Sequence, residues 1–256
     1  MTWIGGIFGK VNMSQGELIK KLAVMIETVC PANEPSTVAY RRRLSSIVDD
    51  AHGQALVKVS FLVEERPSEH VYTDYQEKLA LIYDGHLYDF KSTAVKLSPA
   101  QHRVNETAAE SLVRLLAELP GTLEQKVRKA LVSLDGDYAL AVSNTDQIVI
   151  SRNSLGTKPL YFAGNNDFSA FASNKKPLWK IGLGEVRPLR AGTLAVFDHE
   201  KVSIKKALPF HKKETEIKSM TQAVDKYEQA LHSAMRKRLA AMNHVRKVGV
   251  LISGGV

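Results

Sequence analysis

The residues with chemical potential sit at the two ends of the chain. The first nine, Met-Thr-Trp-Ile-Gly-Gly-Ile-Phe-Gly, are nearly all apolar. A soluble protein ordinarily leaves its first residues frayed and polar. Here Trp3, Ile4, Ile7 and Phe8 demand burial, which puts the terminus inside the fold, and Gly5, Gly6 and Gly9 allow a backbone or a ligand to come close. A buried amino terminus has one known catalytic use: the residue after Met1, here Thr2, becomes a nucleophile with its own freed amine as the base. The plain alternative is a buried edge strand without chemistry. At the other end, Val248 to Ile252 reads as a short buried strand running into Ser253-Gly254-Gly255. Glycines in that position let successive backbone N–H groups cradle a phosphate, helped by the N-terminus of a following helix. That helix would lie beyond Val256, so such a site is incomplete here. Cys30 is the single cysteine, which excludes an internal disulfide and fits a reducing cytosol. At a predicted helix end it reads as structural rather than as a nucleophile.

The elements that must position these residues follow from periodicity and punctuation. Ser14 with Glu17 is a capping box, followed by Leu18, Leu22, Met25 and Ile26 on one helical face, and Cys30-Pro31 ends that helix. The segment 32–53 is polar, with Tyr40-Arg41-Arg42-Arg43 its only cluster, and yields no element. Ala55 to Val63 and Lys78 to Tyr83 read as strands with a loop between them, and Asp84-Gly85 reads as the turn that ends the second. Asn105 or Thr107 caps a helix carrying Leu112, Leu115, Leu116 and Leu119. Pro120-Gly121 separates it from another through Val127 to Leu134. Short strands follow at Asp137 to Val142, Gln147 to Ser151, Leu160 to Phe162, Phe168 to Ala172 and Gly192 to Phe197. Strands, two helices and strands again predict an α+β layered design. His211 to Lys218 is a charged linker, and Thr221 to Asn243 an amphipathic helix with Val224, Tyr227, Leu231, Met235, Leu239 and Met242 on one face.

Composition narrows the class. Apolar residues make up 44% and charged residues 24% of the 256, ordinary values for a globular chain. No apolar run reaches the roughly 18 residues a membrane helix needs, and no signal peptide is legible. The net charge of +8 is localised: residues 201–247 hold 12 Lys and Arg against four Asp and Glu, which leaves the rest neutral. A neutral body followed by a basic region predicts two units, 1–210 and 211–256. The basic region reads as a solvated helix face, with nucleic acid as a less favoured partner.

Several stretches resemble one family in order along the chain. Ser151-Arg152-Asn153-Ser154-Leu155-Gly156-Thr157-Lys158-Pro159-Leu160-Tyr161-Phe162 resembles the Arg-Asp-x-x-Gly-x-Lys-Pro-Leu-Tyr signature of glutamine-dependent asparagine synthetases. Phe171 to Leu178 resembles their Phe-Ala-Ser-Glu-x-Lys-x-Leu, Leu134 to Ala141 their Leu-x-Gly-x-Phe-Ala-x-Ala, and Tyr83 to Tyr88 their Tyr-Asn-Gly-Glu-Ile-Tyr. Met1 to Gly9 is similar to Met-Cys-Gly-Ile-x-Gly-Ile-Phe-Gly, and Val250 to Val256 to the start of a Ser-Gly-Gly-x-Asp-Ser pyrophosphate loop. The resemblance implies a class II glutamine amidotransferase domain with the four-layer αββα N-terminal-nucleophile fold. It implies that 211–256 are the linker, helix and first strand of an ATP-pyrophosphatase domain. ATP and Mg2+ are then implied for that synthetase part, with Ser253, Gly254 and Gly255 in its incomplete loop, and no cofactor or metal for the amidotransferase-like part.

The departures from the family fall on its chemistry. Thr2 stands at the family's nucleophilic Cys, and a hydroxyl needs much stronger activation than a thiol. Trp3 replaces a Gly and is expected to crowd the pocket. At the oxyanion-hole position Asp84 replaces an Asn donor, whose loss costs roughly 3–4 kcal/mol, while Gly85 keeps its backbone N–H. The family's glutamine clamp pairs an Arg with an Asp. Cys30-Pro31-Ala32-Asn33-Glu34 occupies the expected Arg motif, with Arg41, Arg42 or Arg43 as unaligned substitutes, and Ala108 falls at the Asp position. The reading is therefore a retained scaffold with a retired glutaminase, as in β-lactam synthetase-type members. It would serve the synthetase part of a cytoplasmic ligase of asparagine-biosynthesis type as a structural or dimer-forming domain, with no membrane partner. The alternatives are an active glutamine amidohydrolase using Thr2, and the amidotransferase-like part of a pyrophosphate-loop tRNA-modifying enzyme.

Overall fold

The computed structural model describes residues 2–10, 13–30, 41–49, 52–62, 71–74, 76–88, 107–208, 216–241 and 249. The chain separates into two units, Met1–Phe210 and His211–Val256. The first holds two six-stranded antiparallel sheets. One sheet has the order β10-β8-β9-β1-β3-β2, built from β1 (Thr2–Gly9), β2 (Arg41–Asp49), β3 (Gln54–Leu62), β8 (Tyr161–Gly164), β9 (Phe168–Ala172) and β10 (Arg187–Pro188). The other has the order β12-β11-β7-β6-β5-β4. Its strands are β4 (Tyr72–Asp74), β5 (Leu79–Tyr88), β6 (Asp135–Ser143), β7 (Ile148–Arg152), β11 (Thr193–Phe197) and β12 (Val202–Lys206).

Side-chain alternation along these strands sorts the core into three layers. Trp3, Ile7, Val57 and Ala172 pack with Leu18, Leu22 and Met25 of α1 (Gln15–Val29) and Leu178 of α4 (Lys176–Lys180). Ile4, Phe8, Leu56, Ile82, Ala141, Ile150 and Phe197 face one another between the sheets. Leu81, Tyr138 and Leu140 pack with Leu112 and Leu116 of α2 (Ala108–Glu118) and Val127 and Leu131 of α3 (Leu123–Ser133). Helix, sheet, sheet, helix is the four-layer αββα sandwich, and the chain's first strand lies at the centre of its sheet between β9 and β3.

Local signals explain the helix starts. Both partners of each capping box are in place at Ser14/Glu17, Thr107/Glu110 and Thr122/Gln125, so α3 begins before the expected Val127. Three expectations are corrected. The polar segment before Gly53 contains β2, which pairs with β3 along its whole length. Asp84-Gly85 is no turn: β5 continues to Tyr88 against β6, with Asp84 opposite Ala139 and Gly85 opposite Tyr138. Gly85 has φ +126°, and a Cβ there would lie 1.8 Å from the Asp137 carbonyl oxygen; the glycine is needed for close strand approach, not for reversal. Trp3 does not crowd the inter-sheet layer, because alternation turns it to the α1 side. There its ring lies over Gly5, where a Cβ would be 2.4 Å away.

In the second unit, α5 (Met220–Ala241) carries the expected apolar face, and Val224, Tyr227, Leu231, Met235 and Leu239 on it are exposed. Met242, most of the linker and, apart from Gly249, the expected strand at Val248 to Ile252 lie outside the described residues. Among the described residues no helix is long and apolar enough to cross a membrane.

Candidate active site

Thr2 begins β1 half-buried, on the same face as Ile4 by alternation and therefore toward the space between the sheets. Its partner across the strands is Ser60, and Ile4 is paired with Lys58. Lys58 shares the inward face with Leu56 and is only 4% exposed. From the opposite sheet, β5 brings Asp84 to the same layer, beside Ile82, at 5% exposure. Thr2 and Asp84 thus lie in one layer.

The electrostatics at this end centre on Asp84. Lys158 Nζ approaches Asp84 Oδ1 to 3.3 Å. Burial pushes the Asp84 carboxyl above its ordinary value, while Lys158 first and Lys58 second pull it down. Lys58 Nζ also lies 4.7 Å from the Tyr83 ring centroid, a cation–π arrangement that helps hold a buried ammonium. Two lysines around one carboxylate make a mainly cationic, hydrogen-bonded cluster. An ionised carboxylate only accepts hydrogen bonds, so Asp84 offers nothing to a developing oxyanion, whereas an amide would.

The signature stretches build the frame around this cluster. Arg152 Nε donates to the Lys158 carbonyl at 2.5 Å and Nη1 to that of Leu189 at 2.7 Å, and Nη2 donates to the Gly156 carbonyl. Asn153 Nδ2 donates to the Gly136 carbonyl at 2.9 Å and its Oδ1 accepts from Thr157 N at 3.0 Å. Together they set the loop that delivers Lys158. Ser173 holds β1 from the other side: its Oγ accepts from Ile4 N at 3.0 Å and its own N–H donates to the Ile4 carbonyl at 2.9 Å.

Other expected site residues are placed elsewhere. Ala108 opens α2 and packs against the layer between that helix and its sheet, on the far side of the sheet from the inter-sheet layer. Arg43 pairs with Ser60, which also pairs with Thr2, so of the three clustered arginines Arg43 shares the rung of Thr2. Cys30 caps α1. Ser253, Gly254 and Gly255 lie outside the described residues. Among the described residues, no group of three or more His, Cys, Asp or Glu could hold a metal ion. Lys58 and the role of Lys158 were missed from sequence. A usable signal existed: Lys58 is the one charged residue in the predicted strand Ala55 to Val63.

Comparison with known proteins places this geometry. Residues 60–180 match the family described as a glutamine amidotransferase domain. A Methanocaldococcus jannaschii protein that carries the name of a glutamine-hydrolysing asparagine synthetase is 24% identical over 227 residues, and the match covers 80% of this chain and 38% of that protein. The chain thus spans well under half the length of that relative. Glutamine phosphoribosylpyrophosphate amidotransferase from B. subtilis superposes with a TM-score of 0.60 at 14% identity, over 82% of this chain and 50% of that one. A structure described as the allosteric regulatory enzyme of purine biosynthesis gives 0.61 at 14% identity, over 82% and 49%. At that identity the two structures establish the fold alone. Residues 60–180 therefore carry a glutamine amidotransferase-like domain, in a chain with the class II amidotransferase fold and related to asparagine synthetases.

Proposed function

We propose that this domain has lost glutamine hydrolysis and serves as the structural partner of an asparagine-synthetase-like ligase part. The observation that carries the reading is Asp84: a buried carboxylate, tied to Lys158 at 3.3 Å, at the position where the family resemblance calls for an amide donor. With Thr2 in place of a thiol, neither the nucleophile nor the oxyanion stabiliser is of the kind the reaction uses. On this reading 211–256 open the ATP-pyrophosphatase domain, and ATP, Mg2+ and acceptor chemistry belong to that part, in the cytoplasm. Homodimerisation would be a second role for the amidotransferase-like scaffold. Incubation with glutamine is expected to release no ammonia above background, and appreciable release would reject the reading.

A second reading is favoured by one observation. Lys58, buried on the inward face two pairs along from Thr2, brings an ammonium to the layer that Thr2 faces. A working Thr2 requires its own free amine, so mass spectrometry of the purified protein decides the premise, and a retained Met1 would end it.

A further inference from the structure

The two sheets have four edges, and three of them are blunted. β10 is two residues long and contains Pro188, β4 is three residues long, and β12 ends in the exposed Lys205 and Lys206. Short edges, proline and lysine are the usual means of keeping foreign strands from pairing. The fourth edge is β2. It runs for nine residues, Arg-Arg-Arg-Leu-Ser-Ser-Ile-Val-Asp, with neither proline nor glycine. Its register with β3 is unbroken from Arg41 with Leu62 to Asp49 with Gln54, so no bulge bends it away. Among the described residues β3 is its one neighbour in the sheet. The other side of β2 presents a regular row of backbone donors and acceptors.

The charges on this strand are complementary to its own reversal. Arg41, Arg42 and Arg43 stand at one end, and Asp49 and Asp50 follow at the other. A parallel copy would set arginine beside arginine. An antiparallel copy, related by a twofold axis perpendicular to the sheet, sets opposite charges on one rung. Such an axis keeps each residue on its own face of the sheet, so residues paired across it must both be odd or both be even. The register that overlaps all nine residues meets this condition, with Ser45 opposite its own copy, Arg43 opposite Ile47 and Arg41 opposite Asp49. Opposite charges directly across an antiparallel pair stabilise it, and like charges destabilise it. Asp49 already lies 2.8 Å from His52 of its own chain, yet 41% of its side chain remains exposed.

We propose that β2 is an interface with a second copy of this chain, joining two six-stranded sheets into one continuous sheet across a twofold axis. This gives the homodimer role of the scaffold a surface and rests on that role, not on the state of the glutaminase chemistry. Sedimentation velocity of the full chain across a micromolar dilution series is expected to show a monomer–dimer equilibrium. Arg41→Glu places like charges on both outer rungs, and so does Asp49→Lys; each is expected to weaken the dimer by at least about tenfold. An equal mixture of the two variants carries opposite charges on both rungs and is expected to dimerise as wild type does. If either variant fails to fold, the doubly substituted chain decides, because Arg41→Glu with Asp49→Lys restores opposite charges within its own dimer. A monomeric wild type overturns the proposal and the homodimer role together, leaving the edge to a different strand. A dimer that neither substitution weakens, or that neither the mixture nor the double substitution restores, overturns this surface while the homodimer role stands.

Discussion

Asp84 and Lys158 are unequal partners. The carboxylate is buried, while the Lys158 side chain keeps 32% of its surface in solvent. Lys158→Met strands a buried charge and is expected to cost about 3 kcal/mol at neutral pH, whereas Asp84→Asn frees an ammonium that water can reach and should cost under about 1 kcal/mol. Urea denaturation of both variants checks the asymmetry. The pH dependence follows from the raised Asp84 pKa. A carboxyl that holds its proton more tightly when folded contributes fully below its unfolded value, 3.8, and loses that contribution as pH climbs to the folded value. Asp84→Asn should therefore gain stability relative to wild type across that window, read as the difference between their urea midpoints at successive pH values. The same residue limits any revived chemistry. Thr2→Cys alone should stay near background in glutaminase assays, and Thr2→Cys with Asp84→Asn should exceed it by roughly 10²- to 10³-fold, the worth of one oxyanion donor. Removal of Met1 in both variants is checked by mass spectrometry.

At the scale of elements, β5 shows how tertiary pairing overrides a local signal. Asp-Gly is a strong turn dipeptide, yet here it continues a strand because β6 supplies partners through Tyr88. Gly85→Ala forces a side chain into the Asp137 carbonyl at φ +126°, and more than about 3 kcal/mol of stability should be lost, measured by thermal or urea melts. The Ser14, Thr107 and Thr122 helix starts needed only local hydrogen bonds, so their capping boxes were legible in advance. β2 was not, because six of its nine residues are polar and its pairing partner β3 lies beyond the intervening Gly53. The side taken by Trp3 was illegible for a related reason: a strand buried on both faces carries no alternation to say which face meets α1.

For the molecule as a whole, the two compact units divide at Phe210, inside the basic stretch 201–247. A chain ending at residue 210 is expected to unfold in one cooperative transition within a few degrees of the corresponding transition of the full chain, measured by calorimetry. The exposed stripe on α5 fits a helix whose covering layer belongs to the proposed synthetase part. The sequence by itself determined the layered class, the caps and the identity of the groups at the reactive end, because apolar period, local hydrogen bonding and residue chemistry are properties of short stretches. Only the tertiary structure decided that Lys158 reaches Asp84 with Lys58 in the same cluster, and that Trp3 turns away from Thr2. Those outcomes depend on register between strands distant in the chain, which no local pattern encodes.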